Sequence, residues 1–237
     1  MPRAGVTRER VTEEAEQLAD EVGFDALTLA AVAVRLGIKL PSLYKHIDSL
    51  AALRDSVSER AIHELAGVMA RATVGKAGAD AVAALAHASR EWAHAHPGRY
   101  AATVSAPRRV AAAPGRGVDA ASAPTVGPPD GAAAPASGVS AATGTVGSEA
   151  GPAAEEFGLP EAAAAAAVAV GVIYDVLAGF GLEGDDAIDA TRGLRSLLHG
   201  FVALEAAGGF GLPADVDRSF DRLVDAFIRS LPGYRTA

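Results

Sequence analysis

The chain has 237 residues, half of them apolar, with no cysteine and a formal net charge of −8. That length suits one large domain or two modest ones, and the lack of cysteine excludes disulfides and thiolate metal sites. Alanine is abundant and aromatic residues make up only 5%, a balance that predicts an all-α protein because alanine is the strongest helix former. Residues Met1 to Gly5 lack the apolar run of a signal peptide. The alanine-rich stretch Ala162–Val172 is too short and too weakly apolar to span a bilayer. A soluble cytoplasmic protein without membrane contact is expected.

A first helix opens at Thr7 or Arg8, carries the apolar stripe Val11, Ala15, Leu18, Ala19 and Val22, and stops at Gly23. Phe24 and Leu27 return into a small core. Thr28 is a good N-cap for a second helix, since its hydroxyl accepts from a first-turn N–H. Leu29, Val32, Ala33 and Leu36 recur at helical spacing, and Gly37 suits the left-handed residue that ends a helix. Pro41 is placed for the first turn of a third, two-turn helix carrying Ser42, Tyr44, Lys45 and His46. A short polar helix after a glycine turn fits the major groove of DNA.

A fourth helix runs from Ser49 to about Thr73 on Leu50, Leu53, Val57, Ala61, Leu65 and Val68, its start in the head and its later half in the body. A fifth runs from about Ala79 to His96, with Val82, Leu85, Ala86, Ser89, Trp92 and Ala93 on one face, and His96-Pro97-Gly98 ends it. From about 107 to 160 Pro, Gly, Ala, Ser and Thr dominate. Such a low-complexity insert buries too little apolar surface to offset chain entropy and is expected to be poorly ordered. Helical pattern resumes at Glu161 and runs to about Leu177. Another helix, capped by Asp185 or Asp186, carries Ile188, Thr191, Leu194, Leu198, Phe201 and Glu205 and ends at Gly208-Gly209. The last begins at Pro213-Ala214-Asp215 and carries Val216, Phe220, Leu223, Val224, Phe227 and Leu231.

Thr28, the apolar run to Leu36, Gly37, Ile38, the hexapeptide Pro41-Ser42-Leu43-Tyr44-Lys45-His46 and Leu53 together resemble the DNA-binding domain of the tetracycline-repressor (TetR) family. The segment from Leu198-His199-Gly200-Phe201 to Glu205 resembles the Trp-His-Gly C-terminal domain of one subgroup, with Leu198 in place of the tryptophan. The two resemblances cover roughly residues 5–105 and 161–232. They imply a helix-turn-helix head over residues 1–50 and a helical regulatory and dimerisation body over 51–237, with the insert inside it. They imply a homodimeric transcriptional regulator, most often a repressor, that is released from a palindromic double-stranded DNA operator by a small molecule. In the family a lysine grips a phosphate where Leu50 stands here; Ser49 is placed to cap the fourth helix and turn its N-terminus to that phosphate instead.

The expected DNA contacts are Thr28, Lys39, Ser42, Tyr44, Lys45 and His46. Tyr44 and His46 suit phosphates, Lys45 a phosphate or base edge, and Lys39 and Ser42 lie where base readout occurs. The acidic balance opposes this, since DNA binders usually carry a basic footprint. The acids crowd the first helix, however, at Glu9, Glu13, Glu14, Glu16, Asp20 and Glu21, while Arg35, Lys39 and Lys45 surround the turn.

In the body, Trp92, Tyr100, Tyr174 and His199 suit a cavity for an amphipathic ligand, the plain alternative being ordinary core. A palindrome requires two heads related by a two-fold axis. The last two helices are therefore expected to form a four-helix bundle with a second chain, through Leu194, Phe201, Phe220, Leu223 and Phe227. His87, Glu91 and His94 have the spacing of metal ligands, but a solvated polar face is the reading adopted. No nucleophile-and-base arrangement, phosphate loop or nucleotide fingerprint is present, so no catalysis, cofactor or metal is expected. The alternative is a small-molecule- or metal-binding helical protein or enzyme whose head is only structural. A constitutive DNA binder without ligand is the third reading.

Overall fold

A computed structural model describes residues 6–104 and 161–235; the expected insert at about 107–160 lies outside them. The described residues hold nine α-helices and no strand. They are α1 (Arg8–Val22), α2 (Leu29–Leu36), α3 (Leu40–Leu43), α4 (Leu50–Thr73), α5 (Gly78–Ala95), α6 (Pro97–Val104), α7 (Glu161–Ala178), α8 (Gly184–Ala206) and α9 (Val216–Ser230), with 3-10 turns at Phe24–Ala26 and Leu231–Tyr234.

The helix starts follow from local chemistry. Thr7 accepts from Arg10 N–H at 3.2 Å, Thr28 from Ala31 at 3.2 Å, Ser49 from Ala52 at 3.0 Å and Asp215 from Arg218 at 3.1 Å, each satisfying an orphan first-turn donor. Gly37 closes α2 at φ 67°. There the Ile38 N–H donates back to the Ala33 carbonyl at 3.0 Å, the glycine-ended motif that turns a chain sharply. α8 departs from expectation. Glu183 occupies its N-cap without a side-chain bond, and Asp185 and Asp186 lie in the first turn, where they favour the helix dipole instead.

α6 is the element the sequence reading did not contain. Only His96 separates it from α5. Pro97 opens it, a first-turn position that needs no N–H donor.

Two apolar cores result. The first gathers Val11, Ala15, Phe24, Leu27, Val32, Leu43, Leu53 and Val57, and also takes in Trp92 of α5 and Ala102 of α6. The second gathers Val82, Leu85, Ile173, Leu177, Leu194, Phe201, Phe220, Val224 and Phe227. Leu65 of α4 packs against both. α4, 24 residues long and about 36 Å at 1.5 Å per residue, packs on α1, α5, α6 and α7. Val22 and Ile188, expected on buried stripes, are 51% and 41% exposed.

Candidate nucleic-acid interface and body cavity

The helix-turn-helix is anchored from inside. Leu43 is fully buried in the first core and fixes α3. Lys39, Tyr44 and Lys45 are exposed, as is Thr28, while Ser42 and His46 are half-buried. Beyond Leu43 the chain continues in turns, His46 N–H donating to Leu43 at 2.9 Å and Ile47 N–H to the same carbonyl at 3.2 Å. Tyr44, Lys45 and His46 are therefore carried on tight turns after a four-residue α3 rather than on the expected two-turn helix. Arg54 of α4 supports the helix-turn-helix, a role absent from the sequence reading. Its guanidinium donates to the carbonyls of Asp25 (2.8 Å) and Leu27 (3.3 Å) and lies 5.7 Å from the centre of the Phe24 ring, which fixes the loop leading to Thr28.

Arg35 is a correction. Instead of joining the basic patch around the turn, it points inward to α1, donating to Glu14 at 2.8 Å, Glu21 at 2.6 Å and Gln17 at 3.1 Å. The bond from Arg35 holds the Glu21 carboxyl below its ordinary value. Arg60 of α4 grips Glu16 with two bonds of 2.8 and 3.2 Å. Arg99 of α6 bonds Asp20 at 2.7 Å and Glu64 at 2.7 Å. The acids of α1 are thus an internal hub for arginines of α2, α4 and α6. The charges of Glu14, Glu16, Asp20 and Glu21 are paired within the fold, which leaves Lys39 and Lys45 as the basic side chains of the turn.

A cavity of about 310 Å³ opens among α4, α5, α6, α7 and α8. Each long wall is one helical face: Ile62, Leu65 and Met69 of α4; Ala166, Ala169, Val170 and Ile173 of α7; Arg192, Arg195, Ser196 and His199 of α8. Tyr100, Thr103 and Val104 of α6 close one side. Of the four expected ligand residues, Tyr100 and His199 line it, their ring centres 5.9 Å apart. Burial pushes the Tyr100 phenol up to about 12. Trp92 and Tyr174 do not line it. Trp92 is 5% exposed within the first core, edge-on to Tyr100 and His96, and Tyr174 packs on the second core. Both corrections have one cause: an aromatic at helical spacing packs wherever the nearest core lies.

His87, Glu91 and His94 are exposed, a solvated polar face whose two histidines also reach carboxylates of the last helices. His94 meets Glu205 of α8 at 2.7 Å, and His87 meets Asp221 of α9 at 3.3 Å. Between them Arg90 bonds Glu205 at 2.5 and 2.9 Å and Asp217 at 2.7 Å. Leu194, Phe201, Phe220 and Phe227 are corrected as interface residues. They are 0, 8, 0 and 7% exposed inside their own chain, so their surface is already covered; Leu223, at 37%, is the one of the five on the outside.

An N-capped helix, a left-handed glycine turn and a second short helix flanked by outward lysines and a tyrosine define a helix-turn-helix DNA-binding protein. Comparison with known proteins agrees. Residues 11–57 match the model of bacterial regulatory proteins of the tetR family, and residues 141–227 match that of the tetracyclin repressor-like C-terminal domain. An uncharacterized HTH-type transcriptional regulator of Mycobacterium tuberculosis is 34% identical over 86% of this chain and 72% of its own length. A protein of unknown function from Rhodococcus sp. RHA1 superposes with a TM-score of 0.66 at 20% identity, over 97% of both chains. A TetR variant from Acinetobacter baumannii, solved with minocycline, superposes with a TM-score of 0.60 at 17% identity, over 98% of this chain and all of its own. The chain belongs to the TetR family and is a DNA-binding transcriptional regulator. Among the described residues no helix is long and apolar enough to cross a membrane.

Proposed function

We propose that this regulator is a cytoplasmic homodimeric repressor that leaves a palindromic operator when a small molecule enters the body cavity. Residues 1–50 form the DNA-binding part and 51–237 the regulatory and dimerisation part, the insert at about 107–160 included. The supporting observation is α6. On one side Gly98 lies against the Ala19 carbonyl of α1 and Arg99 bonds Asp20; on the other, Tyr100, Thr103 and Val104 face the cavity. An occupant therefore touches an eight-residue helix that is bolted to the head. It shifts the balance between DNA-competent and released states to the extent that it binds the two differently. The resemblance to the Trp-His-Gly subgroup belongs to the same reading, since His199 stands in the cavity wall.

Thr28, Lys39, Ser42, Tyr44, Lys45 and His46 are the proposed DNA contacts. Tyr44→Ala and Lys45→Ala should each weaken operator binding several-fold with the melting temperature unchanged, since both side chains are exposed. Removing a bond to one phosphate should also lower the slope of log affinity against log salt by about one unit. Binding titrations over a salt series check this; unchanged affinity in both variants removes the turn that follows α3 from the interface.

For the dimer, the outward apolar side chains of the last helices include Leu204 (53% exposed) and Leu223 beside Ile188, and two α8–α9 pairs make a four-helix bundle. Leu204→Glu combined with Leu223→Glu should sediment as a helical monomer that has lost high-affinity operator binding. A dimer that persists in this variant moves the interface, with α7 and its exposed Val168 as the next surface.

A further inference from the structure

We propose that the body cavity takes an amphipathic anion: a medium-length apolar chain bearing one anionic head, the chain against Ile62, Met69 and Ile173 and the head at the rim beside Arg192 and Arg195. This rests on the reading of the cavity as the effector site and names the chemical class of effector. Arg192, Arg195 and His199 stand at i, i+3 and i+7 of α8 and so share one face, which lines the cavity. Both arginines are exposed and therefore stand at the rim rather than in the depth. The arginines that tie helices together elsewhere are taken up by carboxylates: Arg35 by Glu14 and Glu21, Arg60 by Glu16, Arg90 by Glu205 and Asp217, Arg99 by Asp20 and Glu64.

The rim differs. No Asp or Glu lines the cavity among the described residues. Among the described residues Arg192 has only Asp189, one turn away at 3.3 Å with both side chains more than 60% exposed, a pairing that water weakens. Arg195 has no ion pair among the described residues. On a chain of net charge −8, two exposed cations, one with a solvent-weakened partner and one with no ion pair among the described residues, stand beside an apolar hollow, repel a cationic guest and offer forked donors to an anion. The opposite walls, from α4 and α7, carry Ile, Leu, Met, Val and Ala and accept a hydrocarbon. His199 Nδ1 is buried without a partner among the described residues and Tyr100 keeps its phenol neutral, so both remain able to bond a polar group set behind the head. At about 310 Å³ the cavity is at the small end of ligand sites, which favours a medium chain over a long one.

The full chain is titrated with decanoate, 1-decanol and decylamine below their aggregation concentrations, by calorimetry and by the fluorescence of Trp92, the single tryptophan, which abuts Tyr100. Decanoate should bind about tenfold or more tighter than 1-decanol, and decylamine weakest. Arg192→Gln with Arg195→Gln should bring decanoate down to the level of 1-decanol and leave 1-decanol unchanged. Equal binding of acid and alcohol by the wild type, preference for the amine, or an acid preference that survives in the double variant overturns the anion assignment and leaves the effector site standing. Binding of none of the three overturns the effector reading itself.

Discussion

Phe220→Ala should destabilise the body by about 3–5 kcal/mol, the range for emptying a buried phenylalanine site, and lower the melting temperature by on the order of 10 °C. Phe220 is fully buried. Its ring meets Phe201 at 5.0 Å and His87 at 5.4 Å, and the Arg90 guanidinium lies 4.8 Å from its centre. Three helices thus converge on one side chain, and its loss strips the apolar cover from an arginine that binds Glu205 and Asp217. A domain stabilised by about 5–15 kcal/mol in total is left marginal. Leu223 lies three residues on and is more than a third exposed, so substitution there should act on assembly and leave the fold intact. Thermal unfolding and sedimentation of Phe220→Ala separate the two roles: a variant that keeps its melting temperature and merely dissociates returns Phe220 to an interface between chains.

The contrast between these neighbours marks where sequence reasoning ends. A stripe of Phe220, Leu223, Val224 and Phe227 says which face of α9 is apolar. It does not say whether the same chain or another covers that face, because helical period carries no information about distance along the chain. Trp92 shows the same limit: its apolar face is legible in the spacing, and the core it enters is not. By contrast, Thr28 and Ser49 were legible as caps because a cap bonds a backbone donor within three residues, and Gly37 because the left-handed region favours glycine.

The charge pattern shows the same division. Crowded acids on α1 read as negative charge set apart from the basic turn. In the fold Glu14, Glu16, Asp20 and Glu21 are partners for Arg35, Arg60 and Arg99, which come from residues 14 to 79 positions away. No local rule pairs them. A cue exists only in hindsight: six acids on a helix whose apolar stripe faces a core need neutralisation from the elements packed beside it, and α2, α4 and α6 each bring an arginine.

Gly98→Ala should be the most disruptive small substitution on the joint between head and body. Pro97-Gly98 reads as a helix stop, yet the glycine lies inside α6 and is fully packed against α1. A Cβ there falls within the van der Waals surface of the Ala19 carbonyl and 2.6 Å from the Asp20 nitrogen. All the atoms it meets are main chain of a helix, so none can swing aside, and α6 must lift off α1. The lift stretches the bonds that Arg99 makes to Asp20 from its backbone N–H (2.8 Å) and its side chain (2.7 Å), and it moves Tyr100 in the cavity wall. Overpacking ordinarily costs about 1–3 kcal/mol; a clash against rigid backbone belongs at or above the upper end. Gly67→Ala on α4 is the matched control. Its Cβ meets only the flexible end of Arg71, at 3.1 Å, and alanine is favoured over glycine in a helix by roughly 0.5–1 kcal/mol, so that variant should melt at or above the wild-type temperature. Gly98→Ala should melt several degrees lower and bind operator more weakly, because the head loses its fixed bearing on the body. If both alanine variants melt and bind alike, α6 does not couple the cavity to the head, and the signal must travel along α4 alone.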